Sequence, residues 1–311
     1  MLNTLPMLDA HYKAYIKKNQ RITGEQSQQD GENIKNSLSN NLSRSLPNPF
    51  NNSSLNLLEH LNINPIDIRS ITTRAQADNK VPCAKSDIRV TLNMLKSSSI
   101  IHHLSVKSTY NKTQLAVHSV HSFSNNLKTK KIIIPPTVEH YLNLFTDSST
   151  LTFNNQHFLY NESKRRKRFS ADEIDKINPQ LVGDTRKFFT IYAQEILSFL
   201  ISEGNDKKAN YATQLVFCKK KLDVKNNVPF SDLLFVDIHN LIQKTISLSQ
   251  KNDTFFVLNR KKKNSGITTI DLYNGLITLQ MKGSGQGACY HNLQFKISGH
   301  FINKWINQGL I

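Results

Sequence analysis

Residues 85–107 constrain the fold more than any other stretch of this chain. Two strand-like runs, one headed by Asp87 and one ending at Lys107, are separated by Lys96-Ser97-Ser98-Ser99. Folding the runs back across that turn brings Asp87 near Ser105 and Lys107. Successive side chains of a strand alternate faces, so Ser105 and Lys107 point the same way. An acid, a second polar group and a lysine on one face of a hairpin suit metal-dependent phosphodiester chemistry. The acid's hard oxygen takes Mg²⁺, the metal activates a water, and the lysine steadies the nucleophile or the developing phosphate charge.

A second copy of the pattern competes with the first. Asp271 is followed by Gln280 and Lys282, two apart on one strand face, across Tyr273-Asn274-Gly275. Asn-Gly is a strong hairpin signal. Spacing alone leaves both pairs open.

Charge indicates the partner class. Forty Lys+Arg against 23 Asp+Glu leave +17 over 311 residues, the balance expected of a chain that meets a polyanion, most often nucleic acid. The basic clusters Lys128–Lys131, Lys164–Arg168 and Arg260–Lys263 read as phosphate-facing or solvated surface, and phosphate contacts position without reading sequence. Cys83, Cys218 and Cys289 are odd in number and far apart, which indicates neither a disulfide framework nor a zinc ribbon and fits a reduced cytoplasmic setting. His102-His103 and His118/His121 lack the companions of a zinc site. No signal-type segment and no apolar run of about 18–20 residues is present, so no membrane partner is expected. The segment Gly283-Ser284-Gly285-Gln286-Gly287 lacks the Gly-Lys-Ser/Thr ending of a phosphate-binding loop.

Periodicity places the remaining elements. Ile34, Leu38 and Leu42 recur every four residues and predict an amphipathic helix after Gly31, closed by Pro47 and Pro49. Further helices are expected at Leu55–Leu61, at Thr137–Phe145 behind Pro135-Pro136, from an N-cap at Ser170, over Thr185–Glu203, and near Asn240–Leu248. Gln114–Val120 is a strand or the base of a helix. Strands are expected at Gln214–Cys218, Leu233–Ile238, Thr254–Leu258, Thr268–Leu272 and Leu276–Met281.

Several blocks, in order, resemble the MspI-type type II restriction endonucleases of the PD-(D/E)xK nuclease superfamily. Leu57-Leu58-Glu59-His60-Leu61-Asn62-Ile63-Asn64 is similar to a helix end that precedes that family's catalytic strands. Lys85-Ser86-Asp87 and Leu104-Ser105-Val106-Lys107-Ser108 resemble its Lys-Thr-Asp and Leu-Asn-Ile-Lys-His blocks at nearly the same separation. Leu293-Gln294-Phe295-Lys296 resembles its terminal Met-Gln-Phe-Lys. The resemblance covers most of the chain, with insertions between Asp206 and Asn264 and a tail after Lys296.

The resemblance implies an α/β fold with a central mixed sheet flanked by helices and the active site at one sheet edge. It implies a single endonuclease domain over 1–311, with about 1–125 carrying the catalytic core and about 170–311 contributing DNA-binding elements. Asp87 becomes the metal ligand and Lys107 the catalytic lysine, while Asp271/Lys282 becomes a structural hairpin. Ser105 stands where the superfamily usually has Glu and this family has Asn. Glu32, on the first helix, is the candidate for the missing acid. Gln294 and Lys296, with Gln114, are implied in reading bases; on a strand Gln294 and Lys296 face one way, Lys can donate to guanine and Gln can bond a base edge. The implied activity is Mg²⁺-dependent cleavage of double-stranded DNA at a short G·C-rich palindrome by a monomer or homodimer, in functional pairing with a cognate DNA methyltransferase. A non-catalytic DNA-binding protein is the alternative.

Overall fold

The computed structural model describes residues 32, 34–36, 38–40, 42–45, 50, 52–75, 85–107, 112–146, 152–153, 156–157, 174–176, 178–218, 233–259, 269–283 and 291–310. The chain is α/β, with two large sheets and helices packed on them. The described residues of 32–42 form helix α1. Strand β1 (Arg44–Ser45), helix α2 (Asn52–His60) and strands β2 (Ile68–Ala75), β3 (Ile88–Met94), β4 (Ile100–Lys107) and β5 (Lys112–His118) follow. Next come helices α3 (Val120–Thr129) and α4 (Pro136–Phe145), then the short strands β6 (Thr152–Phe153) and β7 (Gln156–His157). Helix α5 (Pro179–Ile191) leads into α6 (Ala193–Ser198), which winds into a π turn over Phe199–Glu203. Strands β8 (Gln214–Cys218) and β9 (Leu233–Asp237) precede helix α7 (Ile238–Asn252). Strands β10 (Phe256–Asn259), β11 (Thr269–Leu272), β12 (Ile277–Gly283) and β13 (His291–Ser298) and helix α8 (Gly299–Asn307) complete the order.

The first sheet is mixed, in the order β1-β2-β3-β4-β8-β9, and its β4–β8 pair is parallel. The second, β10-β11-β12-β13-β5, is antiparallel throughout. They interleave along the chain: β8 and β9 complete the first sheet, and β5, directly after the 85–107 hairpin, completes the second.

Alternation decides which sheet face is dry. Ile88, Val90, Leu92, Leu104 and Val106 point to one side of β3 and β4 and pack with Ile34, Leu38 and Leu42 of α1 and Leu57 and Leu58 of α2. The opposite side of the sheet, through Leu215 and Phe217 of β8, joins the larger core formed by α3 to α8 and the inner face of the second sheet. The first sheet is therefore flanked by α1 and α2 on one face and by the other helices on the other.

Most expected elements are present. The Ile34, Leu38, Leu42 stripe is buried against the sheet, and the hairpin turns where Lys96–Ser99 places it. Gln114–Val120 resolves into both alternatives: β5 ends at His118, and Ser119 caps α3 by accepting from the Ser122 N–H at 3.1 Å. The long helix expected over Thr185–Glu203 instead begins at Pro179, where Asn178 caps it, breaks at Tyr192, and ends at Gly204 with φ +52°. The Asn240–Leu248 helix is longer, because Asp237 caps it by accepting from the Asn240 N–H at 2.7 Å. Strand β2 and helix α8 were not expected. The expected N-cap at Ser170 lies outside the described residues.

Candidate active site

Antiparallel pairing of β3 with β4 sets Ile88 opposite Leu104. One step further out, the Asp87 N–H donates to the Leu104 carbonyl at 2.7 Å. The Asp87 carboxylate turns onto β4, where Oδ2 accepts the Val106 N–H at 2.6 Å. Val106 separates Ser105 from Lys107, so a backbone bond fastens the acid to the Ser-x-Lys strand end. This is the juxtaposition that the hairpin spacing predicts. Charge-assisted bonds of this kind are short and about twice as strong as neutral ones.

Ser105 is fully buried, and among the described residues its Oγ has no hydrogen-bond partner. An orphaned hydroxyl in a core costs free energy, and such an atom often marks a functional position. Lys107 is half-buried at the end of β4. Ser86, beside Asp87, is buried and bonded to His103 Nδ1 at 3.1 Å. Burial, and then the Arg89 charge, hold the His103 pKa below the usual histidine value, with Asp206 opposing.

Sequence reasoning nominated Glu32 on α1 and missed its neighbour one turn on. Lys35 reaches the carboxylate: its Nζ lies 2.9 Å from Asp87 Oδ1, with side-chain exposures of 15% and 14%. Residues three apart share a helix face, so Glu32 stands beside Lys35 on a helix docked at the acid. No local pattern marks Lys35, because a lysine beside the Ile34–Leu38 stripe is ordinary on an amphipathic helix.

The partly exposed Asp87 carboxylate is the group here that could hold a hydrated hard cation. Asp87 supplies a carboxylate whose Oδ1 already holds a cationic group, and Ser105 Oγ is an unsatisfied oxygen on the adjoining strand. Mg²⁺ commonly takes one or two carboxylates and keeps several waters. No three His, Cys, Asp or Glu side chains form a metal cage among the described residues, so the protein would provide few of the ligands.

The rival pair is built differently. Asp271 is opposite Thr278 on β12, and its carboxylate accepts from Asn259 Nδ2 and, at 3.1 Å, from Thr278 Oγ1. The turn between β11 and β12 needs positive φ at Tyr273, Asn274 and Gly275 (57°, 55° and 80°), the backbone that Asn-Gly accommodates. A Cβ on Gly275 would also meet the Phe301 ring at 3.5 Å.

The nominated base readers lie on the second sheet. Leu293, Phe295 and Ile297 of β13 enter the core, and Gln294 and Lys296 occupy the opposite face. Gln280 lies across from Gln294 on β12 and donates to its Oε1 at 2.5 Å; Gln294 in turn donates to Gln114 Oε1 on β5 at 2.8 Å. Three strands thus carry one amide ladder, and Gln280 is a member that sequence reasoning left in the rival hairpin.

Between the two regions lies a buried junction. Lys85 is buried and donates from Nζ to the Leu115 carbonyl of β5 at 2.9 Å. His118, at the end of β5, is buried against the rings of Phe123, Phe199 and Phe295. Burial, reinforced by the Lys85 charge, lowers its pKa to about 4. The folded state holds this ring neutral, whereas the unfolded chain protonates it near pH 6.5. Its contribution is therefore complete above pH 6.5 and is lost as pH falls towards 4, a change of about 3 kcal/mol. Urea unfolding of His118→Leu should show that much less loss of stability between pH 7.5 and pH 4 than wild type. Equal losses would place the acid sensitivity elsewhere.

Candidate membrane-spanning helices are absent among the described residues. No protein-family model and no curated protein matches the sequence. Among solved structures, the chain is similar to the restriction endonuclease MspI in complex with its cognate DNA, with a TM-score of 0.49 and 13% identity over 78% of this chain and 76% of that one.

Proposed function

We propose that this protein is a type II restriction endonuclease that hydrolyses phosphodiester bonds of double-stranded DNA with Mg²⁺. The observation that carries the reading is the closure of Asp87 onto the Ser105-Val106-Lys107 strand end through the Val106 N–H. A net charge of +17 supports a polyanionic substrate.

Asp87, with Ser105 and Glu32 as candidate further ligands, would hold the cation. When bound, Mg²⁺ supplies Lewis-acid charge for the phosphate and acidifies a water. The chain's own groups do the rest. Lys107, on the strand face shared with Ser105, orients the attacking water or offsets charge on the phosphate. Lysines such as those of Lys128–Lys131 would hold the DNA backbone, and Gln294, Lys296 and Gln114 would meet base edges. Ser105 is fully buried, as are Leu215 and Phe217 on the neighbouring strand β8, and such surroundings lower the local dielectric, which strengthens charge interactions there.

One observation favours the second reading, a DNA-binding protein without catalysis: Lys35 sits on the carboxylate, and a hydroxyl stands where the superfamily carries an acid. Lys107→Ala separates the readings under single-turnover conditions. An endonuclease loses cleavage by at least about 10²-fold, the scale of removing one electrostatic stabiliser, and keeps its affinity for duplex DNA. Unaltered cleavage by this variant would place the active site elsewhere.

A further inference from the structure

We propose that Lys35 is the resident cation of this site, that a divalent metal must displace its ammonium from Asp87, and that the pair thereby sets the metal affinity of the DNA-free protein. The proposal rests on Asp87 being the metal-holding acid.

The carboxylate has two dissimilar partners. Oδ2 takes a backbone N–H from Val106, which is neutral, fixed by the strand, and leaves that oxygen a further lone pair. Oδ1 takes a full positive charge from a side chain on another element. Both side chains of this ion pair are largely shielded from solvent, so water screens it weakly. A divalent cation arriving at Oδ1 would meet that ammonium at close range, and the two would repel.

Lysine suits displacement. Its charge is a compact ammonium on a flexible four-carbon stem, unlike the rigid fork of arginine. A DNA phosphate arriving at the same site would offer the displaced ammonium an anion. Metal and DNA then favour each other's binding, because each relieves the contact that opposes the other, and linkage makes that coupling reciprocal. Glu32, one turn before Lys35, is a second acceptor within reach of the same helix face.

The test is direct titration of Mn²⁺ into DNA-free protein, followed by calorimetry, for wild type, Lys35→Met, Lys35→Arg and Asp87→Asn. Lys35→Met should bind Mn²⁺ more tightly than wild type by about 10-fold, within the usual span of coupling between two ligands of one site. Lys35→Arg, which keeps the charge, should bind no more tightly than wild type. Asp87→Asn should bind weakly whatever stands at position 35. Equal affinities for wild type and Lys35→Met, with binding still lost in Asp87→Asn, would overturn the displacement while leaving Asp87 as the metal-holding acid. Undiminished binding by Asp87→Asn would overturn both. Should Lys35→Met fail to fold, wild type alone decides: Mn²⁺ affinity must rise when a short duplex is added, and no rise overturns the proposal.

Discussion

Asp87→Asn should lose DNA cleavage by at least about 10²–10³-fold and still fold and bind duplex DNA. Asparagine keeps an oxygen that can accept the Val106 N–H, so the fastening of the β3 and β4 ends survives. What disappears is the negative charge that a hard cation requires. Lys35 loses its ion partner in the same step. A pair this shielded lies between the exposed and buried extremes, so the stability cost is about 2 kcal/mol. Thermal unfolding would register that cost, while gel shift without metal would show the DNA affinity. A variant that folds, binds and fails to cut identifies Asp87 as chemical; one that folds but no longer binds makes it structural.

Gln294→Leu should affect selectivity instead. Gln294 is the middle member of the ladder, accepting from Gln280 and donating to Gln114. Its replacement removes the hydrogen bonds it makes to both neighbours. A well-placed side-chain contact to a base edge discriminates by about 1–3 kcal/mol, roughly 5- to 150-fold in preference. Affinity for unrelated DNA comes chiefly from cationic contacts to phosphate and should remain. Binding to a randomised duplex library measures both quantities. An unchanged preference would mean that the ladder stabilises the sheet and reads nothing.

The parts of this molecule legible in sequence are those written by local rules. The Ile34, Leu38, Leu42 spacing predicts α1, the run around Lys96–Ser99 predicts the β3–β4 hairpin, and Asn274-Gly275 predicts the β11–β12 turn. Asp87 near Ser105 and Lys107 follows from hairpin geometry alone. The parts that were not legible depend on docking. Lys35 meets Asp87 because α1 packs across the first sheet, and no local pattern encodes that packing angle. Gln114 meets Gln294 although 180 residues separate them, because β5 leaves the hairpin region to join the second sheet. The parallel β4–β8 pair is likewise non-local. Helix α8 is not legible because its Ile302 and Trp305 form only a short buried stripe, below the length at which periodicity separates a helix from a loop.

Everything proposed for this protein turns on metal-dependent, sequence-specific cleavage centred on Asp87. The most direct measurement is digestion of one sequenced supercoiled plasmid, with Mg²⁺ and with chelator, by wild type and Asp87→Asn. Wild type in Mg²⁺ should give discrete fragments with common ends, and neither wild type in chelator nor the variant should give any. Intact plasmid at every Mg²⁺ concentration, or the same fragments from Asp87→Asn, would contradict it.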